Sequence, residues 1–272
     1  MEESFLIIWK RKFIFVSLLL LQVVFFSLFF YASLVYLPRM LESAKAISDY
    51  LNEQVKLDDV SLANNINQQK GMLGEDPLSI SRNYDNIIKN FRLYLMYNFA
   101  LLLAFLSISW TLTAQMLHKT SKRNMAKIFL KNLLISFFCL GVMFWFFLSI
   151  VGISFSGAAQ GPAIFYKYIP MMVFSVTISY FMFISLSVSG IADWKHLLQA
   201  TFEIGIKKFH CMLAAYFINI LILIILAALL AYSTEGNIFV TIFLMLVFVI
   251  FFVIKRIFLF DAIGKLNNKI KN

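Results

Sequence analysis

Apolar side chains run along this chain in long uncharged blocks, separated by short clusters of lysine and arginine and by one longer polar stretch. Six blocks are long enough to cross a hydrocarbon layer about 30 Å thick as α-helices. They are Phe13–Leu37, Leu93–Leu117, Leu133–Ile153, Ile169–Ala192, His210–Tyr232 and Ile238–Ile254. The last could lengthen to Phe260 if Lys255 and Arg256 snorkelled toward the interface. The first is too long for a signal-peptide core and has no small-residue cleavage site, so it reads as an uncleaved anchor. The pattern predicts an all-α polytopic membrane protein of six transmembrane helices, arranged as three hairpins, with a small external helical hairpin.

Each hairpin is entered through a basic elbow. Residues 193–209 give the fullest version, in which Trp194, Leu197, Leu198, Thr201 and Ile204 share one helical face and Lys195, Gln199 and Glu203 lie toward the other. Asp193 stands where an N-cap would, and Lys207 and Lys208 close the segment before the next apolar block. This predicts an amphipathic helix along the cytoplasmic surface. A weaker version places Lys127 and Lys131 ahead of the third block, and Lys10, Arg11 and Lys12 precede the first. These seven bases are the expected contacts for anionic lipid.

The chain therefore divides into an interfacial helix with the first span (1–37), an extracytoplasmic helical segment (38–92) and spans two to four (93–192). The elbow (193–209) and spans five and six with a basic tail (210–272) complete it. Within 38–92, Leu41, Ala44, Ser48, Leu51 and Val55 recur at helical spacing, as do Ile80, Tyr84, Ile87, Ile88 and Phe91. Between them lie a turn-prone stretch, Asn64–Gly71, and Gly74-Glu75-Asp76-Pro77. A further short helix is expected near residues 60–72.

Composition agrees with the blocks. Of 272 residues, 61% are hydrophobic and only 14% are charged, which is far from the mix of a water-soluble domain. The net charge of +10 would suit nucleic acid, but its distribution points elsewhere. With both termini inside, sixteen Lys and Arg and five acids fall on the cytoplasmic side, against eight bases and nine acids outside. Basic short loops stay cytoplasmic, so the charge reports topology and anionic lipid, not nucleic acid. Cys139 and Cys211 lie within blocks, and residues 38–92 have neither a cysteine nor an Asn-x-Ser/Thr acceptor. Both absences suit a prokaryotic cell membrane.

Candidate chemistry is sparse. Asn98, Ser109 and Thr113 share a face of span two, Ser175 and Ser179 a face of span four, and Asn219 stands near Tyr216 in span five. These seven would form either an uncharged groove or a helix-packing face, since polar groups in lipid need partners. No Asp, Glu, Lys or Arg falls in the interior of the six blocks, which argues against a proton-coupled transporter. The three histidines stand apart, and no HExxH, CxxC, GxSxG or phosphate-cradling Gly-rich loop is present. No metal, cofactor or catalytic residue is therefore expected. The sequence reading is a non-enzymatic membrane subunit or scaffold that binds partner proteins. The alternative is a permease or lipid-handling protein built on the uncharged groove.

Overall fold

The computed structural model describes residues 7–61, 78–118, 121–156, 163–233 and 238–271. The turn-prone stretch at 64–77 and the uncharged, Gly-rich stretch at 157–162 lie outside them. After a helical turn at residues 7–10 come seven helices: α1 (Lys12–Ser61), α2 (Leu78–His118), α3 (Lys122–Ser156), α4 (Ala163–Val188), α5 (Trp194–Lys207), α6 (Phe209–Ser233) and α7 (Ile238–Lys271). All but α5 are long and apolar enough to cross a membrane. Lipid offers no hydrogen bonds to an open backbone, so apolar runs of this length must close their own N–H and C=O groups as helices.

Two helices run past the spans expected for them. α1 continues through Pro38 to Ser61, a helix of 50 residues. Proline removes one backbone donor and crowds the carbonyl four residues earlier, but the helix resumes beyond it. α2 begins at Leu78, fifteen residues before the expected span. Residues 38–61 and 78–92, expected as a separate helical segment, are thus direct extensions of spans one and two.

The described chain forms two compact units. One comprises residues 26–101, which take in most of α1 and the first part of α2. There Ser33 Oγ lies 3.2 Å from the Tyr94 hydroxyl, and the Tyr36 and Tyr94 rings meet 6.1 Å apart. The other comprises residues 1–25 and 102–272 and holds the main core. In this second unit α3 packs on α4, α6 on α7, and α4 on both α5 and α7.

The centre of that core is Trp110, flanked by Phe183 of α4 and Phe260 of α7 with ring centroids 6.3 and 6.1 Å away. Ala114 and Gly190 allow close approach there. A methyl group on Gly190 would sit 3.0 Å from Phe260 Cζ and 3.1 Å from the Ala114 methyl. In a membrane such contacts matter because dispersion and hydrogen bonding, more than water exclusion, hold helices together.

One end of this unit gathers the basic segments. Arg11 donates to the Gln115 carbonyl, and the His118 ring lies 5.6 Å from Phe260. The Lys131 ammonium donates at 2.8 Å to the carbonyl of Ala192, just beyond α4. Cations are favoured at this position, where the last carbonyls of a helix lack intrahelical partners. No break separates Lys127 and Lys131 from the third span: Met125–Leu140 contains neither Gly nor Pro, and α3 runs straight through it.

The elbow at 193–207 takes a definite course. Ser185 Oγ donates to Thr201 Oγ1 at 3.2 Å, and the Tyr180 hydroxyl donates to the Gly205 carbonyl at 2.9 Å. α5 therefore runs antiparallel along the last turns of α4. A methyl group on Gly205 would come within 2.7 Å of the Phe181 ring, so the missing side chain sets how closely the two helices meet. The chain breaks at Lys208 (φ −113°, ψ 23°) before α6 begins. Asp193 occupies the N-cap position, but its side chain makes no capping bond; the His196 N–H reaches the Asp193 backbone carbonyl instead.

Candidate functional site

Three polar side chains join α2, α3 and the turn that follows α4 inside the core. Asn132 Nδ2 donates to Thr111 Oγ1 at 3.1 Å, and Ser189 Oγ donates to Asn132 Oδ1 at 2.5 Å. All three are buried. Asn132 uses its amide for two bonds at once, while the Thr111 hydroxyl donates to the Ser107 carbonyl of its own helix and the single Ser189 proton is shared between Asn132 Oδ1 and the Leu186 carbonyl. Replacing Asn132 with Ala should cost about 1–3 kcal/mol, the sum of two hydrogen bonds and a small void. Thermal unfolding in detergent reads this directly, and an unchanged midpoint would show that the clasp contributes nothing.

A second polar set lies deeper along α1. Arg256 of α7 is buried and donates through Nη2 to Gln22 Oε1 at 3.1 Å. Its guanidinium carbon stands 5.1 Å from the Phe105 ring centroid and 5.8 Å from that of Phe252. This corrects two expectations: Arg256 does not snorkel, and an ionisable group does stand among the spans. The reason is directional. Helical side chains lean toward the N-terminus of their helix, which for α7 points away from the basic end.

The residues expected to form an uncharged groove are placed individually. Ser109 and Thr113 are buried, with their hydroxyls donating to the carbonyls of Leu106 and Ser109 at 3.2 and 2.8 Å. Ser175 and Ser179 are half-buried; Ser179 donates to the Ser175 carbonyl at 2.8 Å and lies 3.5 Å from Met143 Sδ. Tyr216 packs against Tyr180 and Phe183, and its hydroxyl is buried without a partner. Asn219 is half-buried. Asn98 belongs to the other compact unit, where it is buried with Oδ1 unpaired. Most of these hydroxyls are directed into their own helix backbones.

Of the expected lipid-facing bases, Lys10, Lys12, Lys127, Lys207 and Lys208 are exposed. Lys207 also pairs with Glu203 at 3.2 Å, an exposed contact between successive turns. Arg11 and Lys131 are half-buried and spend donors on backbone carbonyls.

Asn132, Gln22 and Arg256 escape the sequence reading for separate reasons. Asn132 follows Lys131 immediately and reads as part of a charged elbow. Gln22 is a lone amide in an otherwise apolar block. Arg256 follows Lys255, and the pair reads as the border of a span. The usable signal was the continuation Ile257-Phe258-Leu259-Phe260, which leaves the Lys255–Arg256 pair with apolar runs on both sides.

Six apolar helices, with polar side chains turned inward, define an all-α polytopic integral membrane protein. No protein-family model, curated protein or solved structure matches this chain.

Proposed function

We propose that this protein is a non-enzymatic membrane subunit or scaffold that binds a partner protein through the outer face of α5. The observation that carries this reading is a stripe of four large apolar side chains, Trp194, Leu198, Phe202 and Ile206, each 50–66% exposed. They recur every four residues, so they line one side of the helix over three turns, a strip about 18 Å long. The adjoining side, Leu197, Thr201, Ile204 and Gly205, is already buried in the fold. Lys195, His196, Gln199 and Glu203 flank the stripe and make the helix too polar for the hydrocarbon core. An apolar strip bordered by charge is the surface that a groove in a partner protein receives.

The test is purification in mild detergent followed by mass spectrometry of bound protein and lipid. A stoichiometric protein partner is expected with the wild-type chain. Changing Leu198 and Ile206 together to Glu should cut its recovery at least tenfold, with the unfolding midpoint unchanged because both side chains are 66% exposed. Equal recovery with the double variant would remove the stripe from the interface. Recovery of lipid alone would reject the scaffold reading.

A further inference from the structure

The Gln22–Arg256 pair is incompletely satisfied, and what it lacks is specific. A guanidinium carries five N–H donors and no acceptor, and Gln adds two amide donors. Among the described residues the one bond made is from Nη2 to Gln22 Oε1, and Arg256 Nη1 and Gln22 Nε2 are both buried with no partner. Both unmet donors thus belong to one hydrogen-bonded pair. Among the described residues no carboxylate pairs with Arg256, and Asp261, one turn further on, pairs with Lys265 at 3.0 Å.

The surroundings make the unmet need costly. Gln22 is ten residues into α1, about 15 Å along its axis, and Phe105 is thirteen residues before the end of α2, about 20 Å. A charge at such depth among apolar helices carries a penalty of several kcal/mol unless it is compensated. The Phe105 and Phe252 ring faces offset part of it. They supply no hydrogen-bond acceptor, and the remaining donors are of the kind that match the oxygens of an oxyanion in a planar fork.

We propose that Gln22 and Arg256 form a binding site for one phosphate-type oxyanion, with Phe105 and Phe252 walling the guanidinium. Either a phospholipid headgroup or free phosphate presents that chemistry. The site is separate from the outer face of α5, and its test does not involve a protein partner.

Purified full-length protein in a maltoside detergent, which carries no phosphate, would be titrated separately with inorganic phosphate and with phosphatidylglycerol. Thermal unfolding and native mass spectrometry would follow binding. A saturable rise in the midpoint with one bound equivalent is expected, and the probe that produces it identifies the source. Arg256→Met should weaken the apparent affinity at least tenfold, and Gln22→Leu several-fold. Exchanging both Lys207 and Lys208 for Gln should leave it unchanged, which separates the site from surface attraction. If Arg256→Met fails to fold, Gln22→Leu decides the matter: unchanged affinity in that variant overturns the proposal. No rise with either probe overturns it too, as does an equal rise in folded Arg256→Met.

Discussion

Trp110→Ala is expected to lower the stability of the bundle by about 3 kcal/mol, among the largest effects of any single truncation here. The indole is almost fully buried and touches Phe183 on one side and Phe260 on the other, so its loss opens a void where α2, α4 and α7 meet. In a water-soluble protein the same change costs roughly 3–5 kcal/mol, part of it from transfer out of water. Here the lower end applies, because lipid solvates an indole ring nearly as well as the bundle does. Trp110→Phe keeps most of the packing. It also removes an Nε1–H that is buried without a partner, and should cost under about 1.5 kcal/mol. Chemical or thermal unfolding in detergent measures both, and similar losses from the two variants would mean that ring volume is not what Trp110 supplies.

Gly205→Leu is expected to separate α5 from α4. Even a methyl group at that position would lie 2.7 Å from Phe181 Cε1, with Ile184 Cδ1 at 3.5 Å behind it. Phe181 has little room to retreat, because Phe202 stands against it with ring centroids 5.2 Å apart. An isobutyl group therefore pushes the helices apart, and the Tyr180–Gly205 bond is lost with them. Overpacking of this kind costs about 1–3 kcal/mol, with a lost hydrogen bond adding about 1 kcal/mol. Because α5 is short and joined to α6 through Lys208, the effect should be local release rather than collapse of the bundle. Proteolysis between residues 193 and 208 should quicken several-fold, while the unfolding midpoint of the spans moves less. Protection equal to wild type would show that α5 does not depend on this contact.

The number of membrane-crossing helices and their approximate positions were legible in the sequence because hydropathy and length alone decide them. Each expected span falls on a helix able to cross a membrane, and the chain break at Lys208 coincides with the end of the basic elbow. The pairing of helices was not legible. A helix apolar on every side, as α6 and α7 nearly are, carries no periodic signal that says which face meets a neighbour. Small residues decided that instead: Gly205 lets α5 lie along α4, and Gly190 with Ala114 admits Phe260. The apolar face of the elbow illustrates the difficulty, since pattern grouped Trp194 and Leu198 with Leu197 and Ile204. The structure buries the second pair in the fold and leaves the first exposed. Asn132 and Arg256 were hidden by their neighbours Lys131 and Lys255, for a charge next to a polar residue reads as a boundary whichever way the side chains turn.

The hydroxyls that bond back to their own helices have a mechanical consequence. Ser107, Thr113, Ser179 and Ser187 each donate to a carbonyl one turn earlier at 2.7–2.9 Å, so these donors stay satisfied whichever neighbour faces them. A helix that carries its polar bonds internally can roll or slide against another and forfeit only dispersion contacts, which re-form in the next position. Asn132 differs, because its amide reaches both α2 and the turn that follows α4 and fixes their azimuth. Around Ser107, Thr113, Ser179 and Ser187 no interhelical hydrogen bond from these hydroxyls opposes a small rotation, and azimuth is set instead by the Asn132 clasp and by the Tyr180–Gly205 and Ser185–Thr201 bonds between α4 and α5.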